Sequence, residues 1–178
     1  MRAIVPTLLV ALAVCGCASK PIQNRVVPPV DPQALTAIAD APLAVRATPV
    51  WDEDWLLENF GANLVVAHVL AVRVAIENRT DAPIDCRRFR LGVTDDQGRA
   101  FAQLKPKAAR KLIEKTYPLG IRSVEGDRAY RADFAANTLD LETPLPQGAS
   151  RQGFVFFAMP AEVRGLEPLE MRLAANRR

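Results

Sequence analysis

Three segments of this 178-residue chain alternate apolar and polar side chains with a period of two, and no other feature limits its fold as strongly. Val72, Val74 and Ile76 alternate with Arg73, Ala75 and Glu77; Phe89, Leu91 and Val93 with Arg88, Arg90 and Gly92; Leu169, Met171 and Leu173 with Glu170 and Arg172. Successive strand side chains point to opposite faces, so this spacing predicts strands with one buried face. Phe154 to Met159 is continuously apolar and reads as a core strand. Turn formers punctuate the set. Asn78 to Pro83 ends the first strand, and Asp95-Asp96-Gln97-Gly98 predicts a hairpin turn, with glycine where a positive φ is needed and Ala100 to Leu104 as the returning strand.

Two helices are predicted among these strands. Pro106 opens the first, with Ala109, Leu112 and Ile113 on one face; Ala129 to Leu139 is the second candidate, and Thr116 to Asp127 between them reads as a loop. Strands dominate, so the expected fold is mainly β: a two-sheet antiparallel sandwich with a one- or two-helix insertion in one crossing connection, over residues 50–178.

Three segments also carry a resemblance: Val72 to Asn78, a strand ending in Asn; Phe89 to Gly98, a strand ending in an Asp-x-x-Gly hairpin; and Leu145 to Phe157, in which Pro146, Gly148 and Gly153 precede an apolar strand. In that order they resemble bacterial lipoproteins with immunoglobulin-like domains of unknown function, over about residues 65–160 less the helical insertion. The resemblance implies an immunoglobulin-like sandwich and supplies no catalytic residues.

The N-terminus points the same way. After Arg2, Ala3 to Val14 is a nearly unbroken apolar run of about a dozen residues, where a bilayer-spanning helix needs about 20. Pro6 would kink such a helix. Val14-Cys15-Gly16-Cys17 resembles the lipobox of bacterial lipoproteins, with an apolar residue at −3 and a small one before the cysteine. By that resemblance residues 1–16 are a signal peptide and the Cys17 thiol accepts the lipid. Ala18, in place of Asp, implies the periplasmic face of the outer membrane. An ordinary signal peptide in which Cys17 is incidental is the competing reading. Residues 17–49 hold Pro21, Pro28, Pro29, Pro32, Pro42 and Pro49 and read as a lipidated, proline-rich tether. Asp31-Pro32 is the exception, an N-cap and first helical position that predict a helical turn or two near 32–40.

The inventory for chemistry is thin. His68, the single histidine, sits between Ala67 and Val69 in a strand-like context, so a structural role competes with a catalytic one. With Cys17 acylated, Cys86 is the one free thiol. Arg87 and Arg88 beside it could lower its pKa for redox chemistry, or it could be a buried, inert residue. Neither calcium-loop nor zinc-ligand spacing occurs, so no metal, cofactor or catalytic residue is expected. Trp51-Asp52-Glu53-Asp54-Trp55 reads either as an adhesive surface or as tryptophans capping a core. Arg88 and Arg90, sharing one strand face opposite Phe89, could meet an acidic partner or lipid headgroups. A net charge of +3 on a mixed surface gives no reason to expect nucleic acid. The expectation is a lipid-anchored, non-catalytic envelope protein that binds a protein or envelope component, with Trp51, Trp55, Arg88 and Arg90 as candidate contacts. A carrier holding a small apolar ligand in a cleft beside the helical insertion is the alternative.

Overall fold

The computed structural model describes residues 25–40, 42–117, 124–160 and 170–175, and for 124–125 and 170–175 the backbone alone. The expected signal peptide and Cys17 lie outside the described residues. The elements run β1 (Thr36–Ala39), β2 (Leu43–Val50), α1 (Glu53–Phe60), β3 (Val69–Asn78), β4 (Phe89–Thr94), β5 (Ala102–Leu104), α2 (Pro106–Thr116), α3 (Val124–Asn137), β6 (Ser150–Ala158) and β7 (Glu170–Ala175). The chain is mainly β. Five strands form an antiparallel sheet in the order β1-β2-β3-β6-β5, and β4 pairs with β7 in a separate two-stranded ribbon.

The middle of the large sheet is buried on both faces, where alternation had predicted one wet face. Along β3 only Glu77 is exposed. On one side Val45, Val72, Val74 and Phe157 join Leu91 and Val93 of β4 in a single apolar cluster. On the other, Ala71, Phe154 and Phe156 lie beneath Leu56 and Phe60 of α1, Ala109 and Ile113 of α2, and Tyr130 and Phe134 of α3. The Phe60 ring meets Phe154 edge-on at 5.2 Å and Phe134 stacks on Phe156 at 4.9 Å. Ala75, read as the solvent side of the strand, is buried, and Ala71 on the same face is small enough to let this second layer close. Arg73 on the same face places its guanidinium 5.6 Å from the Phe154 ring centre and donates to the Pro28 carbonyl.

Among the described residues there are three α-helices, not one or two. α2 and α3 occupy the expected connection, between β5 and β6. The unexpected one, α1, is built from the acidic run itself. The Asp52 carboxylate accepts from the Trp55 amide at 2.9 Å, Glu53 and Asp54 oppose the positive helix end, and Gly61 stops the helix at φ 64°. The expected tether is also shorter than its prolines suggested, because residues 36–39 and 43–49 pair into the sheet as β1 and most of β2. Pro42 precedes β2, and Pro49 lies past Ala47, the last residue of β2 that β1 flanks. A missing amide donor is tolerated at both places. The turn opened by Asp31 is a single 3₁₀ turn, Pro32–Ala34.

The hairpin after β4 forms its turn, with Gly98 at φ 77°, and then departs from expectation. Apart from the Thr94–Ala100 bridge and a bond from the Phe101 amide to the Val93 carbonyl, the chain leaves β4 and pairs as β5 with β6. β7 takes the place beside β4.

The Asn and Gly positions of these segments have structural causes. Asn78 is wholly buried; its Nδ2 donates to the carbonyls of Ala82, Leu145 and Pro146 at 2.8, 3.0 and 3.0 Å, and its Oδ1 accepts from the Thr80 amide and hydroxyl at 2.9 and 2.8 Å. One side chain thereby ties the end of β3 to two loops. Gly148 has φ 65° and donates its amide to the Asn78 carbonyl. At Gly153 an added Cβ would stand 2.5 Å from the Leu139 N and Cα, so only glycine lets the chain at 138–139 cross this close. The Leu139 amide then reaches the Phe154 carbonyl at 3.0 Å.

Residues 25–30 are strapped onto the domain. Asn137 accepts from the Val27 amide at 2.7 Å and donates to the Arg25 carbonyl at 2.5 Å. Gln152 treats Val30 the same way, accepting at 3.1 Å and donating at 2.7 Å.

Candidate functional site

A cleft opens where β5 gives way to α2 and α3 runs back toward the sheet. Pro106, the first residue of α2, ends β5 after three residues, and the chain leaving α3 crosses β6 at Thr138–Leu139. Between these two crossings lies a cleft of about 590 Å³, within the range of small-molecule sites. Leu104, Leu139, Leu141, Phe154, Val155 and Phe156 give it apolar walls. Arg87, Arg90, Lys105, Asp140 and Glu142 add charge, and Gln103 lines it from β5.

These charges are not equally available. Arg87 is held by Asp85 at 3.0 Å, and the negative field of Glu142 also favours its charge. The Thr143 hydroxyl and amide and the Glu142 amide donate to Asp140 and hold its carboxyl below the ordinary range against the effect of burial, with Arg151 3.6 Å away. Arg90 donates to the carbonyls of Arg87 and Phe89, at 2.7 and 2.8 Å, but meets no carboxylate, and neither does Lys105, among the described residues. The surplus is therefore positive. The Gln103 Oε1 is buried without a donor, an arrangement that costs about 1–3 kcal/mol.

The four candidate contact residues do not converge. Trp51 and Trp55 are both half-buried; Trp51 packs against the cluster shared with β4, and Trp55 lies 6.2 Å from Phe60 and 6.0 Å from Phe154 in the other. They follow β2, whose last residue pairs with Ala71 near the start of β3. Arg88 and Arg90 lie beyond the turn that leaves the far end of β3. Arg88 belongs to a 3₁₀ turn, Cys86–Arg88, and not to the strand, so the expected shared strand face does not exist. The Asp85 carboxylate, accepting from the Arg87 amide, caps that turn and displaces the strand start to Phe89. Of the four, Arg90 alone lines the cleft.

His68 is exposed in a turn before β3, with φ 55°, and not in a strand. Histidine is one of the residues that tolerate this left-handed conformation. Cys86 is fully buried; burial pushes its thiol up, outweighing the nearby Arg151, while the Arg87 expected to activate it is engaged by Asp85. No group of three or more metal-ligating side chains and no helix long and apolar enough to cross a membrane occurs among the described residues.

The cleft residues Gln103, Lys105, Leu139 and Leu141 carried no signal as a set. Their local mark was Pro106, which fixes where a strand must become a helix.

No family model and no curated protein matches the chain in sequence. A solved structure with some likeness to it is that of an ApaG protein from Pseudomonas aeruginosa, 16% identical, with 75% of this chain and 96% of that chain covered at a TM-score of 0.36. A likeness of that size carries no argument about fold or function.

Proposed function

We propose that this chain is a lipoprotein of the cell envelope, acylated at Cys17, held at the periplasmic face of the outer membrane, and serving as a non-catalytic binding module built on an immunoglobulin-like sandwich. The lipobox resemblance supports the anchor. The apolar cluster uniting the β4–β7 ribbon with one face of the large sheet supports the sandwich. The observation that carries the binding reading is the cleft between β5, β6, α2 and α3, apolar in its walls and charged at its edge. It favours a small envelope component as the bound partner. The dispersal of Trp51, Trp55, Arg88 and Arg90 speaks against a single adhesive patch for another protein. A buried Cys86 and an exposed, turn-bound His68 are in keeping with binding without chemistry.

Two measurements test the proposal. Intact mass and fractionation of the parent and of Cys17→Ser test the anchor: the parent carries acyl chains and pellets with membranes, and a variant that matures identically and still pellets overturns it. Native mass spectrometry of the purified chain, alongside cross-linking in envelopes, tests the occupant. A copurified small molecule supports the cleft, whereas a reproducible protein partner with nothing in the cleft returns the function to protein binding.

A further inference from the structure

We infer that the cleft takes an amphiphile with an anionic head, its chain on the Leu104, Leu139 and Phe156 walls and its head at Arg90 and Lys105, with a hydroxyl or amide N–H donating to Gln103. The inference deepens the binding reading and rests on it. Three observations point to this chemistry independently. The walls are leucine and phenylalanine, which favour a hydrocarbon body. Of the charges at the edge, Arg87 is engaged by Asp85 and Asp140 by Arg151, while Arg90 and Lys105 face no carboxylate among the described residues. Glu142 also lines the cleft and has no ion pair among the described residues, so it offsets one of these two charges and the surplus is a single positive charge. A cationic head would add to the surplus; an anionic one cancels it. Finally, Gln103 lines the same cleft, and its buried Oε1 is an acceptor without a donor that a turn of the side chain would bring to the opening. A bare hydrocarbon tail leaves it unsatisfied, whereas a hydroxyl near the head completes it.

The head could be a carboxylate, as in a free fatty acid, or a phosphate, as in a lipid headgroup. Calorimetric titration of the Cys17→Ser full chain, which has no acyl chains of its own, separates them with laurate and dodecyl phosphate. Dodecanol and dodecyltrimethylammonium serve as neutral and cationic controls, all below their micelle concentrations. One anionic probe or both should bind at one site at least tenfold tighter than either control, and the better one names the source. Arg90→Gln with Lys105→Gln should erase that advantage and leave dodecanol binding unchanged, which a misfolded variant would not do. 3-Hydroxylaurate should exceed laurate several-fold, and Gln103→Met should remove the difference. Equal binding of all heads, or tighter binding of the cation, overturns the inference while leaving a binding cleft in place. No saturable binding by any probe, together with no copurified molecule, overturns both.

Discussion

Replacing Asn78 by alanine removes the side chain that joins β3 to the 80–82 turn and to the 145–146 loop. Nδ2 has two hydrogens shared among three carbonyls, and Oδ1 accepts the Thr80 amide and a share of the single Thr80 hydroxyl hydrogen, so between three and four full hydrogen bonds are lost. The loss is moderated because the Leu145 carbonyl keeps the Ile84 amide, the Pro146 carbonyl keeps the Ala149 amide, and the Ala82 carbonyl keeps the Thr80 hydroxyl. At about 0.5–1.5 kcal/mol net for each bond, the expected destabilisation is about 4 kcal/mol. That is a large part of an ordinary domain's total of about 5–15 kcal/mol. Asn78→Asp keeps the shape but aims a carboxylate at three carbonyl oxygens, so at neutral pH it should cost at least as much. Its carboxyl will have a folded-state pKa raised above the unfolded value, and its deficit relative to the parent must therefore shrink as pH falls through that value. Urea unfolding of the three proteins, followed by circular dichroism at pH 5 and pH 8, measures both effects. An alanine variant within 1 kcal/mol of the parent, or an aspartate deficit that does not narrow at pH 5, would refute this account of Asn78.

Gly153→Ala should destabilise by about 1–3 kcal/mol, since the backbone at 138–139 must retreat and weaken the Leu139–Phe154 bond; an unchanged denaturation midpoint would show that the crossing yields freely. Burial pushes the Asp95 carboxyl up, but bonds from the Arg99 amide and guanidinium and from the Gln97 amide outweigh it and hold it below the ordinary range. Its contribution should thus be complete above the unfolded value near about 4 and disappear as pH falls through the lower folded value, a dependence that Asp95→Asn should lack in acid titrations of stability. Iodoacetamide should modify Cys86 only at the rate of global unfolding, and fast labelling of the native chain would contradict its burial. Asn137→Ala should loosen residues 25–27, leave the Gln152 bonds to Val30 in place, and speed tryptic cleavage after Arg25 several-fold, while the fold at large persists; equal cleavage rates would mean this end of the strap is held elsewhere.

Much of the strand layout was legible because it depends on near neighbours. Period-two alternation marked β3, β4 and β7, and an apolar run marked β6. Gly98 marked the turn after β4, and Pro106 marked the start of α2, since each local backbone demand is met by few residue types. The acidic run was legible in retrospect as a helix start, but Asp52 has no conspicuous partner beyond the Trp55 amide, and an aromatic at each end drew attention to surface binding. Proline counting misassigned residues 36–39 and 43–49, because what excludes proline from a strand is a neighbour on its amide side, and the neighbour is a tertiary fact.

By itself the sequence determined β3, β4, β6, β7 and the start of α2, their punctuation and the motif before Cys17. Only the tertiary structure decided that the middle of the large sheet is covered on both faces, that β5 deserts β4 for β6, and that two chain crossings leave a cleft whose edge brings Arg90 to the same opening as Lys105. Periodicity reports which side of a strand is apolar. It cannot report what covers the other side, because small alanines and long arginines are compatible with water and with a second packed layer alike.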